Sequence, residues 1–442
     1  MRVSAIIFSI VFICSSSLAL PETAVIRERR QRAAAAFKDG ILLLHASASL
    51  EDTADGFRQD PFFYYFTGLE NTVGAVLAID GSSSESWLFL PSKPPYARSG
   101  VPPEVQVGSP SSVGLGIEHV LDWSELQNFL GSHAKQARFL YYADHRSNFE
   151  DLPPNLLSPG LSRTPTWLQV IALKWPAFEV KEAGERVEAL MEVQNADEIA
   201  ALRSAAKATV SAVMAGMRSI RPGASQRSVE AAVEAACWDA GAHGASFWPW
   251  VMAGDNAVFP RPFASLVRYD HLDQRMRSGE LVRLDVGCES DHYMGDLGRT
   301  VPVSGRYDAA QRETWNIFLA AYHAGVKALH DGVTVDEVFE AWQKELLSHR
   351  ANAKTSLAQH AIDSWVDRKN VPFWQIHTTN LLAGRPSGSL REGMTINFEP
   401  IASVDGQGFF LEDMYVVTKQ GMELLTPGVP YSPEEIEDSM RK

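Results

Sequence analysis

The sequence predicts an α/β protein of two domains behind an exported leader. Three observations carry this. The 442 residues are too many for one ordinary core. Strand-like and helix-like segments alternate along the whole chain. Between residues 176 and 195 a strand- and loop-rich half gives way to long amphipathic helices.

Residues 1–20 read as the leader. Met1-Arg2 precedes the apolar run VSAIIFSIVFIC (3–14), of signal-peptide length and short for a bilayer span. Ser17 and Ala19 supply small residues for cleavage. The expectation is export to the periplasm or the exterior, with no membrane segment after removal.

Residues 25–178 are the expected smaller α/β domain. RERRQRAAAAF (27–37) is helix-like and ILLLHA (41–46) strand-like. AVLAID and SWLFLP form two arms around GSSSE, and ARFLYYA (137–143) is another buried strand. Residues 190–430 are the expected second domain. Ile199, Leu202, Ala206, Val210, Val213 and Met217 recur at helical spacing until Arg221-Pro222-Gly223. SQRSVEAAVEAACWDAG follows as a helix, with two more over 311–332 and 335–350.

The formal net charge is −14, and the densest basic run, RERRQR, is short. Nucleic acid is therefore not an expected partner. Beyond the leader only Cys237 and Cys288 remain. Two free thiols are the expectation, with a disulfide left open.

The chemistry concentrates in two hairpins. LVRLDVG (281–287) puts Val282, Leu284 and Val286 on one face and Arg283 and Asp285 on the other. With Ser290-Asp291 as the turn, Asp285 faces Asp296. Near the C-terminus Asp405-Gly406 is a strong tight-turn signal, and it places Glu399 opposite Glu412. Paired acids repel unless a cation lies between them. Either hairpin alone would be an ordinary solvent-facing ribbon, but both together, in strands rich in Leu, Val, Phe and Tyr, point to one carboxylate-lined site. Oxygen-rich sites suit hard or borderline divalent ions. His377, in VPFWQIHTTNLLAG, is the best-placed imidazole. SFWPWVM (246–252) and VPFWQIH (371–377) are aromatic-rich and expected in the core, with a wall for a proline ring as the second reading.

These stretches resemble the M24B metallopeptidases, the family of aminopeptidase P and prolidase, with methionine aminopeptidase as a relation. LVRLDVGCESDHYMGDLGRTVPVSGRYDAAQRETW resembles the two-aspartate hairpin and its following helix, and REGMTINFEP and GFFLEDMYVVTKQGMELLT resemble the two glutamate strands. FRQDPFFYYFTGLE resembles the N-terminal domain of aminopeptidase P and prolidase. The resemblance implies a pita-bread catalytic domain behind a creatinase-like N-terminal domain. It implies two divalent metals, Mn²⁺ ahead of Zn²⁺ or Co²⁺, on Asp285, Asp296, His377, Glu399 and Glu412. It also implies an exopeptidase that removes the N-terminal residue of a peptide, typically before proline, with Glu399 moving the proton.

Where the family keeps a histidine upstream of the first aspartate strand, this chain offers Arg261 or Arg268, with His271 nearby. Arg268 and His271 are the expected substrate-binding residues. A second family histidine is replaced by Gly384, and the loop from His377 to Glu399 is shortened. Aligned from Glu399 instead, Asn370 would take the ligand position. A creatinase- or prolidase-like hydrolase or lyase with a changed substrate and a non-catalytic, metal-stabilised binding protein stay open as alternatives. The family is often dimeric.

Overall fold

A computed structural model describes residues 23–47, 57–93, 103–108, 114–143, 166–266, 274–371 and 373–441. The expected leader, Arg268 and His271 lie outside the described residues.

Six strands, β1 (Gly40–His45), β2 (Val76–Asp80), β3 (Ser86–Leu90), β4 (His119–Asp122), β5 (Phe139–Ala143) and β6 (Glu179–Glu182), form one sheet in the order β4-β3-β2-β1-β5-β6. The apolar runs GILLLH and FLYYA are buried and pair in parallel at its centre, where both faces are covered. AVLAID and SWLFLP pair antiparallel as β2 and β3. Among the described residues the α-helices α1 (Thr23–Ala36), α2 (Pro61–Thr67), α3 (Leu126–His133), α4 (Thr166–Lys174) and α5 (Gly184–Met191) accompany this sheet. Helix α2 starts where Asp60 accepts from the Phe63 amide and Pro61 fills the first turn, and it stops at left-handed Gly68.

Among the described residues the second half has the α-helices α6 (Ala196–Ser219), α7 (Gln226–Asp239), α8 (Ala309–Ala328), α9 (Val335–His349), α10 (Ser356–Trp365) and α11 (Pro433–Met440). Its strands are β7 (Trp250–Ala253), β8 (Leu281–Val286), β9 (Glu289–Ser290), β10 (Tyr293–Met294), β11 (Leu297–Pro302), β12 (Phe373–Thr379), β13 (Ala383–Gly384), β14 (Thr395–Val404), β15 (Gln407–Thr418) and β16 (Gly421–Leu424). An eight-stranded antiparallel sheet runs β13-β12-β14-β15-β11-β8-β7, with β16 also on β15. Capping boxes fix the starts of α6 (Asn195 with Glu198), α8 (Asp308 with Gln311) and α9 (Thr334 with Glu337). The helix α10 was not expected from the sequence.

Strand alternation divides this sheet into two faces. Leu284, Leu297, Phe398, Phe409 and Leu411 point into the helical core with Val213, Val233, Trp315, Phe318 and Trp365. The alternate residues, Arg283, Asp285, Asp296, Gly298, Glu399, Phe410 and Glu412, point the other way.

Cys237 of α7 and Cys288, just past β8, are joined in a disulfide with Cα atoms 5.5 Å apart. This corrects the expectation of two free thiols. Pairing cannot be read from two cysteines separated by 51 residues, because it depends on how α7 docks against the sheet.

The two halves dock through buried polar contacts. Arg29 of α1 pairs with Glu198 of α6 at 2.9 Å, and the Tyr293 hydroxyl donates to the same carboxylate at 3.2 Å. Arg58 pairs with Glu289, and the Tyr64 ring lies 4.2 Å from that of His292.

Candidate metal centre

The second hairpin forms in the expected register. Residues on both sides of Pro400 pair as predicted, from Thr395↔Val416 to Phe398↔Asp413 and from Ile401↔Phe410 to Val404↔Gln407. Glu399 therefore falls opposite Glu412, where the ladder is interrupted beside the proline. The turn residues Asp405 and Gly406 both have positive φ, 47° and 74°.

The first hairpin is displaced by two residues from its expected register. Asp285 pairs with Gly298, not Asp296, and Ser290 pairs with Tyr293. The turn is Asp291-His292, with φ 52° and 67°. A slip of two preserves the face, so Asp296 becomes a diagonal neighbour of Asp285 on the same side. Gly298 also pairs with Glu412, so a glycine lies between two acids across three strands. A Cβ there would fall 1.9 Å from the Phe410 ring.

His377 completes the group. It lies opposite Asn397 on β12, and its Nε2 is 3.2 Å from Glu412 Oε1 and 3.6 Å from both Asp296 Oδ2 and Glu399 Oε2. Asn370 is exposed and donates to the Ser364 carbonyl, so the alternative alignment does not bring it to the site.

Three residues not chosen from the sequence as site residues support this group. Asn397 donates to Glu412 Oε1 at 2.9 Å and to the Asp296 carbonyl at 3.0 Å. Gln375 donates to Glu399 Oε2 at 2.5 Å. Arg283 reaches Asp285 Oδ2 at 2.5 Å and lies over the Phe410 ring. The available signal was strand parity, since each sits two residues from a site residue. Behind the sheet, fully buried Arg299 donates to the Glu412 carbonyl and pairs with Asp413.

Four buried carboxylates facing each other resist ionisation. Burial, then the Glu412 and Asp285 carboxylates, push Asp296 well above its ordinary range. Burial with Glu399 and Asp285 does the same to Glu412. Burial raises Asp285 against the pull of Arg283, and it pushes Glu399 up to about 7 against the pull of His377.

The residues fit divalent cations. Asp296, His377 and Glu412 offer ligand atoms within 4.8 Å of one another, and so do Asp285, Glu399 and Glu412. Asp296 Oδ1 and Glu412 Oε2 are buried acceptors with no hydrogen-bond partner among the described residues, as oxygens awaiting a cation would be. Four carboxylates and one imidazole form an oxygen-rich donor set.

Asp285, Asp296, His377 and Glu399 of this group line a cavity of about 800 Å³. Phe247, Trp250, Phe259 and Pro262 form an apolar wall. Arg58, Asp60 and Tyr64 of the first half also line the cavity, with Glu289 and His292 near the β9-β10 turn. The aromatic stretch expected in the core thus lines the cavity in part.

Comparison with known proteins agrees with this geometry. A model of metallopeptidase family M24 matches residues 200–419, and one of the aminopeptidase P N-terminal domain matches 26–141. The chain belongs to metallopeptidase family M24. It is 25% identical over 449 residues to the Xaa-Pro aminopeptidase of Escherichia coli, covering 94% of this chain and 97% of the relative. It is 25% identical over 374 residues to the Xaa-Pro dipeptidase of Pyrococcus furiosus, covering 82% and 90%. A solved structure of E. coli aminopeptidase P matches with a TM-score of 0.74 at 25% identity, covering 95% and 98%. The α/β architecture is accordingly an aminopeptidase P-type N-terminal domain followed by the pita-bread catalytic domain, and the family implies divalent metal.

Gly384 borders the cavity without a side chain, and the histidines that line it among the described residues are His292 and His377. Burial, then His243 and Arg58, lower the His292 pKa to about 4, leaving it neutral at physiological pH. Arg261 does not line the cavity; it is half-exposed and pairs with Asp255 at 3.1 Å.

Proposed function

We propose that this protein is an exported, dinuclear metal-dependent exopeptidase that releases the N-terminal residue of peptides carrying proline in second position. The observation that carries the reading is the pair of buried ligand triads sharing Glu412 at the floor of an open cavity. Asp285, Asp296, His377, Glu399 and Glu412 are the ligands, and their oxygen-rich set favours Mn²⁺, with Zn²⁺ or Co²⁺ as alternatives. Two divalent ions held there supply Lewis acidity to the scissile carbonyl and lower the pKa of nearby water.

Glu399 takes the proton of the attacking water and returns it to the leaving amine. Gln375 donates to Glu399 Oε2 and fixes the carboxylate in orientation. With Gly384 in place of a histidine, Arg283 and Gln375 are the donors left in the floor. Arg283 Nε has no hydrogen-bond partner among the described residues. The wall of Phe247, Trp250, Phe259 and Pro262 gives an apolar seat for a substrate side chain, a proline ring among them.

Export rests on the leader-like residues 1–20 and on the Cys237–Cys288 disulfide, a bond that persists in oxidising compartments.

The test is product analysis by mass spectrometry, using the manganese-supplemented mature chain on matched Xaa-Pro and Xaa-Ala peptides. The expected result is release of the first residue from the proline series, lost in Asp296→Ala. Bound metal without turnover of any Xaa-Pro peptide would instead mean a changed chemistry.

A further inference from the structure

The turn between β9 and β10 holds two non-glycine residues in the left-handed region, Asp291 at φ 52° and His292 at φ 67°. That backbone is strained for an L-residue and ordinary for glycine. A turn that only reversed the chain would be served better by Asp-Gly than by Asp-His. His292 sits on the cavity, with its ring packed on that of Tyr64 at 4.2 Å. The ring is half-buried, yet neither nitrogen has a hydrogen-bond partner among the described residues, and neither is sealed within the protein. The neighbouring polar groups are committed. Arg58 pairs with Glu289 and donates to the Ala245 carbonyl at 2.8 Å, and His377 is held among the carboxylates. Burial, then His243 and Arg58, keep the His292 imidazole neutral near pH 7. A neutral imidazole offers one N–H donor and one acceptor lone pair. Those two functions complement a peptide amide, whereas a carboxylate or an ammonium would find no charge on the ring.

We propose that His292 is a substrate-binding residue, presented by a strained turn so that its imidazole hydrogen-bonds the backbone of a peptide in the cavity. Strain of this kind persists where surrounding structure over-determines it. Here Tyr64 of the first half supplies that support, and it fixes the plane of a ring carried by the second half. The inference rests on the exopeptidase reading and deepens it, because it gives the substrate main chain a contact separate from the metal ligands. One neutral hydrogen bond is worth about fivefold in affinity.

Calorimetric titration of the manganese-loaded full chain with Pro-Ala-Ala-amide tests this. The probe has no Xaa-Pro bond, so binding is read without turnover. His292→Phe keeps a ring against Tyr64 and removes both nitrogens, and it should bind about fivefold more weakly with bound manganese unchanged. His292→Asn tolerates the left-handed backbone and restores a donor and an acceptor, so it should recover most of the loss. If the bulky Phe does not fold, His292→Gly, which relaxes the turn, carries the same prediction. Wild-type affinity in the Phe or Gly variant, an Asn variant no better than these, a loss of manganese in step with affinity, or no binding by wild type would overturn the assignment. The two ideas fail separately. Xaa-Pro cleavage with wild-type binding in the Phe variant removes only the role of His292. Weakened binding restored by Asn, without cleavage of any Xaa-Pro peptide, removes only the peptidase reading.

Discussion

Stripped of metal, the site should make the folded protein less stable as pH rises from 4.5 to 7, because Glu399 is fully enclosed and its pKa is about 7 against an ordinary 4.5. A proton bound more tightly in the folded state stabilises it. That contribution is complete below the unfolded pKa and is lost as pH climbs through the folded one. A displacement of about 2.5 units at about 1.4 kcal/mol each gives about 3 kcal/mol from this carboxyl alone. Asp296 and Glu412 are displaced in the same direction. The comparison is chelator-treated wild type against chelator-treated Glu399→Gln, unfolded by denaturant at steps from pH 4.5 to 7.5. The substitution keeps the side-chain shape and removes the titration, so carboxylates outside the site cancel in the difference, while relief of Glu412 and Asp296 acts in the same direction. The expected outcome is a pH slope flatter by about 3 kcal/mol across this window in the variant. Saturating metal should reverse the sign in wild type, because cations compete with protons for the same oxygens. Equal slopes in the two metal-free proteins would refute the reasoning.

Three further outcomes follow from the geometry. Gly298→Ala forces a methyl against Phe410 and should cost about 1–3 kcal/mol of stability, read by thermal unfolding together with a fall in bound metal. Asn397→Ala removes the donor shared by Glu412 and the Asp296 backbone, and it should weaken metal affinity roughly 10–100-fold by competition with a chelating dye while the fold persists. Reducing the Cys237–Cys288 bond, or making Cys237→Ser, opens a linkage across 51 residues and should cost about 4 kcal/mol, seen as a lower unfolding temperature with reductant.

How much could be read from the sequence differs between the two hairpins for a physical reason. Asp405-Gly406 tolerates positive φ at both central positions, so the turn fixed its strands' register and only one pairing was open. Around Asp291 no glycine marks the turn. His292 is held at positive φ where its ring packs on Tyr64 of the other domain, a tertiary contact invisible to local patterning. The acids still converge because the error was an even number of residues. Arg283 was correctly placed on the face of Asp285, but its ion pair was not foreseen. Gln375 and Asn397 share faces with His377 and Glu399, yet parity alone does not separate supporting residues from bystanders. The contributions of Arg58 and Tyr64 to the cavity depend on domain docking, which strand and helix periodicity does not encode.

The central claim is that five side chains from two β-ribbons and β12 hold a pair of cations that perform the chemistry. Titrating Mn²⁺ into the metal-free chain, with bound equivalents and Xaa-Pro hydrolysis followed together, tests it most directly. The account predicts activity that rises with occupancy to two equivalents per chain and is absent in Asp296→Ala. Full hydrolysis in a chain shown to hold no metal, or saturation without binding at these five residues, would contradict it.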